Sequence, residues 1–171
     1  MSSASEPLFA VIQATFQRMG WQGRIVQDGE VMEADFETHH TKVRLHVQAF
    51  PPIHAISVSA TAAHNIPVER AGLIAEMLMR TNHELLIGAF ELDYDAHHVL
   101  FRATNIFPPH RTDERIIASL VHSALAEVDR ITPFLTLLLN MSVAELAKLN
   151  LKLFLKREDL LPPVPEHPAG D

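Results

Sequence analysis

Residues 31–47, VMEADFETHHTKVRLHV, admit one strand pairing far better than any other. If Thr38 to Thr41 turn the chain between two antiparallel strands, Glu37 faces Lys42, Asp35 faces Arg44 and Glu33 faces His46. On the other face Phe36 meets Val43, Ala34 meets Leu45 and Met32 meets Val47. One register therefore gives three complementary polar pairs outside and three apolar pairs inside, and cross-strand pairs of this kind select register. A slip of one residue would turn every apolar side chain to the wrong face.

The flanking segments fit an antiparallel sheet carrying helices. Leu8, Phe9, Ile12, Phe16 and Met19 recur at helical spacing, with Pro7 in the first turn and Gly20 closing the helix. Asp28-Gly29, between two extended runs, predicts a hairpin turn. After Pro51-Pro52 the run AISVSATA alternates, with Ile56, Val58 and Ala60 on one face. Pro67 opens a helix with Leu73, Met77 and Leu78 facing inward. Beyond Gly88, AFELDYD and HVLFRAT form a hairpin over Asp95-Ala96, with Phe90 and Leu92 beside Val99 and Phe101.

Pro108-Pro109 breaks the chain again, and Thr112 to Glu114 open a long helix whose stripe is Ile117, Leu120, Val121, Ala124, Val128 and Ile131. Pro133 is expected to kink or end it. Ser142-Val-Ala-Glu145 is a capping-box pattern, so a further helix is expected there. Residues 149–156, LNLKLFLK, alternate like a strand, but the preceding cap favours a helix. The proline-rich end, LLPPVPEHPAGD, reads as a disordered tail. The predicted fold class is α+β, an antiparallel sheet with helices packed on it in the order α-β-β-β-β-α-β-β-α-α. Residues 1–140 form the α+β domain, 141–160 a helical extension and 161–171 the tail.

At 171 residues and 47% hydrophobic, the chain suits one globular core. It has no cysteine, which removes disulfides and thiolate chemistry. No apolar run approaches the ~18 residues of a membrane span, and no basic flank leads into an apolar stretch near the start, so a cytoplasmic protein is expected. A net charge of −7 disfavours direct contact with a phosphate backbone.

Chemistry-bearing residues are present without a complete motif. His83-Glu84 begins the His-Glu-x-x-His zinc pattern, but Ile87 stands where the second histidine belongs. The ordinary reading is a histidine complementing a helix C-terminus. His39-His40 and His97-His98 lie at two expected turns and would bind a metal only if those turns met in space. The stripes Glu33-Asp35-Glu37 and Glu91-Asp93 resemble paired carboxylates. They already have cationic neighbours in Lys42, Arg44, His46, His98 and Arg102. No catalytic residue, cofactor site or metal site is assigned. Surplus apolar surface, at Leu100 beside Arg102 and in the C-terminal segment, suggests burial against another chain.

Asn82 near the end of the middle helix, then Gly88, Phe90, Leu92 and Asp93, Arg102 on the next strand and Asp129 before ITPFL together resemble the YbjN family of proposed bacterial sensory-transduction regulators. The similarity covers roughly residues 6–140, with Ala96 where the family usually has glycine. That fold is similar to the type III secretion chaperones: small, acidic, usually dimeric proteins that bind segments of other proteins. The resemblance implies a non-enzymatic protein-binding homodimer, chaperone-like or regulatory, and supplies no catalytic residues. The expected partner or dimer surface is Leu149, Leu151, Leu153 and Leu155, with Leu100 and Arg102 as a second candidate. The alternative is a metal-binding protein or metalloenzyme using His39, His40, His97 or His98.

Overall fold

In the computed structural model, which describes residues 8–26, 30–108 and 111–163, the hairpin register is the one its side chains demand. Strands β1 (Arg24–Val26), β2 (Val31–Glu37), β3 (Lys42–Phe50), β4 (Ala55–Ala63), β5 (Ala89–Asp93) and β6 (His98–Ile106) form one antiparallel sheet. Its order is β1-β2-β3-β4-β6-β5. Glu37, Asp35 and Glu33 stand opposite Lys42, Arg44 and His46, while Val43, Leu45 and Val47 are fully buried on the reverse face.

Helices α1 (Leu8–Met19) and α3 (Glu114–Asn140) cover that apolar face, and α2 (Val68–Glu84) lies beside β5. The α+β architecture is thus as the sequence predicts. Ile56, Val58 and Ala60 of β4 and Phe101 and Ala103 of β6 meet the stripe of α3, from Ile117 to Ile131. Trp21, just after α1, stands edge-on to Phe16, Phe36 and His122, which ties α1, β2 and α3 together at one corner.

Several expectations need correction. Pro133 does not end α3: the helix continues unbroken to Asn140. Proline removes the hydrogen bond that its nitrogen would give the carbonyl four residues back, here that of Asp129. His40 Nδ1 lies 3.2 Å from that oxygen and supplies a replacement donor. The Asp129 carboxylate in turn accepts the His40 backbone N–H at 2.6 Å. The β2–β3 turn and the proline site of α3 are therefore clamped to each other.

The helix expected after Ser142 is two single turns, α4 (Val143–Leu146), whose capping box is formed, and α5 (Leu151–Phe154). Asn150 breaks them apart because its side chain accepts from the Leu153 N–H and so caps the second turn. Residues 149–156 are thus not a strand. Around the β5–β6 turn, strand pairing stops at Asp93 and His98, so the connection is Tyr94–His97 and not Asp95-Ala96 alone. The Asp93 carboxylate takes the N–H groups of Asp95 and Ala96, which ends the strand. His97, at φ 53°, occupies the left-handed position. Met19 is exposed and Leu73 only half-buried, while Ile74 takes the interior place. Pro7, the Asp28-Gly29 turn, Pro109 and residues 164–171 of the tail lie outside the described residues. No helix among the described residues is long and apolar enough to cross a membrane.

Gly88 joins α2 to β5 at φ +73°, where a Cβ would sit 2.4 Å from the Phe101 ring and 2.7 Å from the Arg102 carbonyl. Gly20 has a similar φ of +69° with open space around it. Gly20→Ala should cost about 1–2 kcal/mol for the backbone conformation alone. Gly88→Ala should add a packing penalty of about 1–3 kcal/mol. Urea midpoints of the two variants, compared side by side, check the ranking.

Candidate functional site

The histidine pairs do not form one site. Both turns lie at the same end of the sheet, yet three strand spacings, about 14 Å, separate them. His40 is engaged with Asp129, and its ring stands edge-on to His39. The nearest ring to His98 is His64, with centroids 6.4 Å apart. His83 is exposed at the end of α2. Among the described residues no group of three or more histidines and carboxylates is arranged to hold a metal ion.

The acidic stripes are paired on the outer sheet face. Glu33 accepts from Arg24 and lies 2.8 Å from His46 Nε2; Asp35 is bidentate with Arg44 at 2.9 and 3.3 Å. Glu91 takes two bonds from Arg102, at 2.9 and 3.1 Å, diagonally across β5 and β6. Hydrogen bonds from Arg24 and His46 hold the Glu33 carboxyl below its ordinary range, and those from Arg44 do the same for Asp35. Such groups stay ionised at neutral pH and suit a charged, solvated face better than proton transfer. Leu100 is half-buried beside Arg102 on this face.

The two sheet edges differ. On β5, the Phe90 N–H and C=O point away from β6, and the Asn82 carboxamide of α2 meets both, at 2.7 and 2.9 Å. A side chain here stands in for a neighbouring strand and blocks strand addition. The other edge, β1, pairs with β2 over three residues only.

An opening suited to a partner lies between helices. Arg70 of α2 donates to the carbonyls of Leu138 and Met141 (2.5 Å for the latter), joining the start of α2 to the end of α3. The helices run antiparallel from that tether, and toward the other end of α2 they leave a groove of about 710 Å³. Ile131 and Phe134 of α3 form its floor and Met79 of α2, 68% exposed, one wall. The C-terminal segment forms the opposite wall: Leu151 and Phe154 are buried, and Phe154 packs edge-on against Phe134 at 5.4 Å. Leu155 then lines the groove, and Lys152 and Lys156 reach its rim beside Arg80 and Arg130. A second opening, about 800 Å³, lies where the fully exposed Leu86 and the exposed Ile87 approach the first turns of α3.

The expected C-terminal surface is therefore divided. Leu151, at 7% exposure, belongs to the chain's own core, and Leu149 and Leu155 are partly buried against it. Only Leu153, at 63%, stands free. A one-turn helix started at Asn150 turns Leu151 and Phe154, three residues apart, to the same inward side. The basic rim has a sequence signal that charge totals hide: three of the four lysines fall at 148, 152 and 156, four residues apart.

No protein-family model matches the chain, and no curated protein is similar enough to match. Solved structures are similar in shape. The crystal structure of the ExsC–ExsE complex contains a chain at 11% identity and a TM-score of 0.56, covering 79% of this chain and 96% of that one. YbjN from E. coli, a proposed transcription regulator, aligns at 10% identity and a TM-score of 0.53, covering 70% of this chain and 84% of that one. At such identity the likeness shows a shared fold.

Two outcomes are expected. Asn82→Ala should cost about 2 kcal/mol by stranding two backbone groups. Hydrogen exchange should show the Phe90 amide losing more protection than amides of β2 and β3. For pH, the carboxyls of Glu33, Asp35 and Asp113 have ordinary values of 4.5, 3.8 and 3.8, and that of Asp113 is lowered to about 2 by the guanidinium and backbone N–H of Arg115. Folded values lie below unfolded ones, so their stabilisation is complete above about pH 4.5 and lost as pH falls toward about 2. Thermal melts from pH 5 to 2 should fall across that window, less steeply in high salt.

Proposed function

We propose that this chain is a non-enzymatic protein-binding module, chaperone-like or regulatory, acting as a homodimer in the cytoplasm. The observation that carries the reading is the open, apolar-floored groove between α2, α3 and the C-terminal segment. Concave surfaces of this kind bind ligands through apolar floors and a few placed polar groups, and an apolar groove between helices also accepts a peptide segment. The fold shared with the ExsC–ExsE complex supports it, since that structure holds a protein bound to a protein. The pairing of the acidic stripes and the separation of the histidines support structural roles for those residues.

In this reading Leu153, Leu155 and the Leu100–Arg102 strip remain as contact surfaces for a partner or second copy. Leu149 and Leu151 act indirectly by anchoring the segment. Sedimentation equilibrium should give a mass near twice 19.1 kDa, with a monomer at every concentration ruling out the dimer. Affinity capture from the native cell extract should retain a few proteins reproducibly. An empty capture with well-folded bait would remove the protein-binding half.

A further inference from the structure

The groove between α2 and α3 has a charge opposite to that of the chain. The whole protein carries a net −7, yet Arg80, Arg130, Lys152 and Lys156 surround this opening against only Glu76 and Glu84. Arg80 is paired with Glu76, and Arg130 with Glu127. Among the described residues Lys152 and Lys156 have no ion-pair partner, and they lie one helical turn apart on the same wall. They are held there because Leu151 and Phe154 are sunk in the core on either side of Lys152. The C-terminal segment thus does two things at once: it closes the groove and delivers positive charge to its mouth. Below that rim Met79 and the half-buried Leu155 present apolar surface, and Ile131 and Phe134, 1% and 2% exposed, close the bottom.

We infer that this groove receives a segment of a partner protein that is both acidic and apolar, with hydrophobic anchors on the floor and Asp or Glu side chains on Lys152 and Lys156. The inference rests on the protein-binding reading and deepens it by assigning the site and the partner's chemistry. A basic rim over an apolar floor rejects cationic segments by like-charge contact and purely polar ones by the lack of anchors. Steering between the acidic segment and the rim should make capture sensitive to ionic strength.

The test places a photo-crosslinker in the groove, as Met79→p-benzoylphenylalanine, and a second one away from it, as Ile53→p-benzoylphenylalanine; both native side chains are exposed. Each full-length protein is irradiated in native extract, alone and combined with Lys152→Glu/Lys156→Glu or Lys152→Ala/Lys156→Ala. Crosslinks from position 79 should map to partner segments bearing Asp or Glu beside apolar residues. Yield should fall about tenfold or more on charge reversal and less on neutralisation, as expected for two rim pairs. Such an ordering follows charge, which a loss of folding would not. The inference is overturned if position 79 stays silent while position 53 or affinity capture retains partners, and protein binding then stands without this site. It is equally overturned if position 79 reaches a second copy of this chain, a nucleic acid or a lipid, if the segments lack acids, or if yields ignore the lysines. Silence at both positions with an empty capture would remove both readings.

Discussion

The arrangement depends on α3 remaining one helix through Pro133. A 27-residue helix extends about 40 Å, enough to cross the sheet. Its first half presents Ile117 to Val128 to the sheet, and its second half supplies Ile131 and Phe134 to the groove. A break at Pro133 would uncouple these two surfaces. The missing backbone bond leaves the Asp129 carbonyl needing a donor, and the buried Asp129 carboxylate needs one as well. The β2–β3 turn provides both through His40, so the hairpin turn and the continuity of α3 through Pro133 support each other. Arg70 acts similarly at the far end, satisfying carbonyls that a helix C-terminus leaves open.

These contacts fix how the surface can be used. Open sheets invite partners by strand addition, and this sheet restricts that at both ends. Asn82 occupies the outer side of β5, and β1 offers a short ladder. The outer face is filled with mutually paired charges, and ion pairs of this exposure contribute little to stability while remaining hydrated. The interhelical groove is different because its floor is apolar and its two lysines form no ion pair within the described residues.

The degree to which each part was legible in the sequence follows from how local its determinants are. The β2–β3 pairing could be read because six pairs, three on each face, agree on one register. The stripe of α3 could be read because helical periodicity continues for several turns. Pro133 could not, since the donor that serves the freed Asp129 carbonyl, His40, lies 89 residues from Asp129 in sequence. The C-terminal leucines alternate and recur at once, so pattern alone does not say which are covered; Asn150 decides by restarting the helix. Arg102 was correctly linked with Glu91, whereas Asp93 turned out to serve its own turn. The histidine pairs needed strand order, which no spacing supplies. The groove was invisible as a site because its lining comes from three separate segments, and its lysines vanish into an acidic total.

That total constrains function less than it suggests. At physiological salt the Debye length is about 8 Å, so a ligand at the groove mouth senses the nearest few charges more than the distant surplus of carboxylates. A negative protein can therefore hold an acidic segment where Lys152 and Lys156 are close and apolar contacts supply most of the affinity. The same numbers count against nucleic acid. Useful affinity for a phosphate backbone draws on several cations neutralised in a row, about six to ten contacts in typical cases. Lys152 and Lys156, which form no ion pair among the described residues, do not make up such a series, whereas the proposed peptide segment needs only a few carboxylates and apolar anchors. Under the proposed reading local geometry outweighs net charge, because at that screening length the charges at the groove mouth count for more than carboxylates elsewhere on the chain.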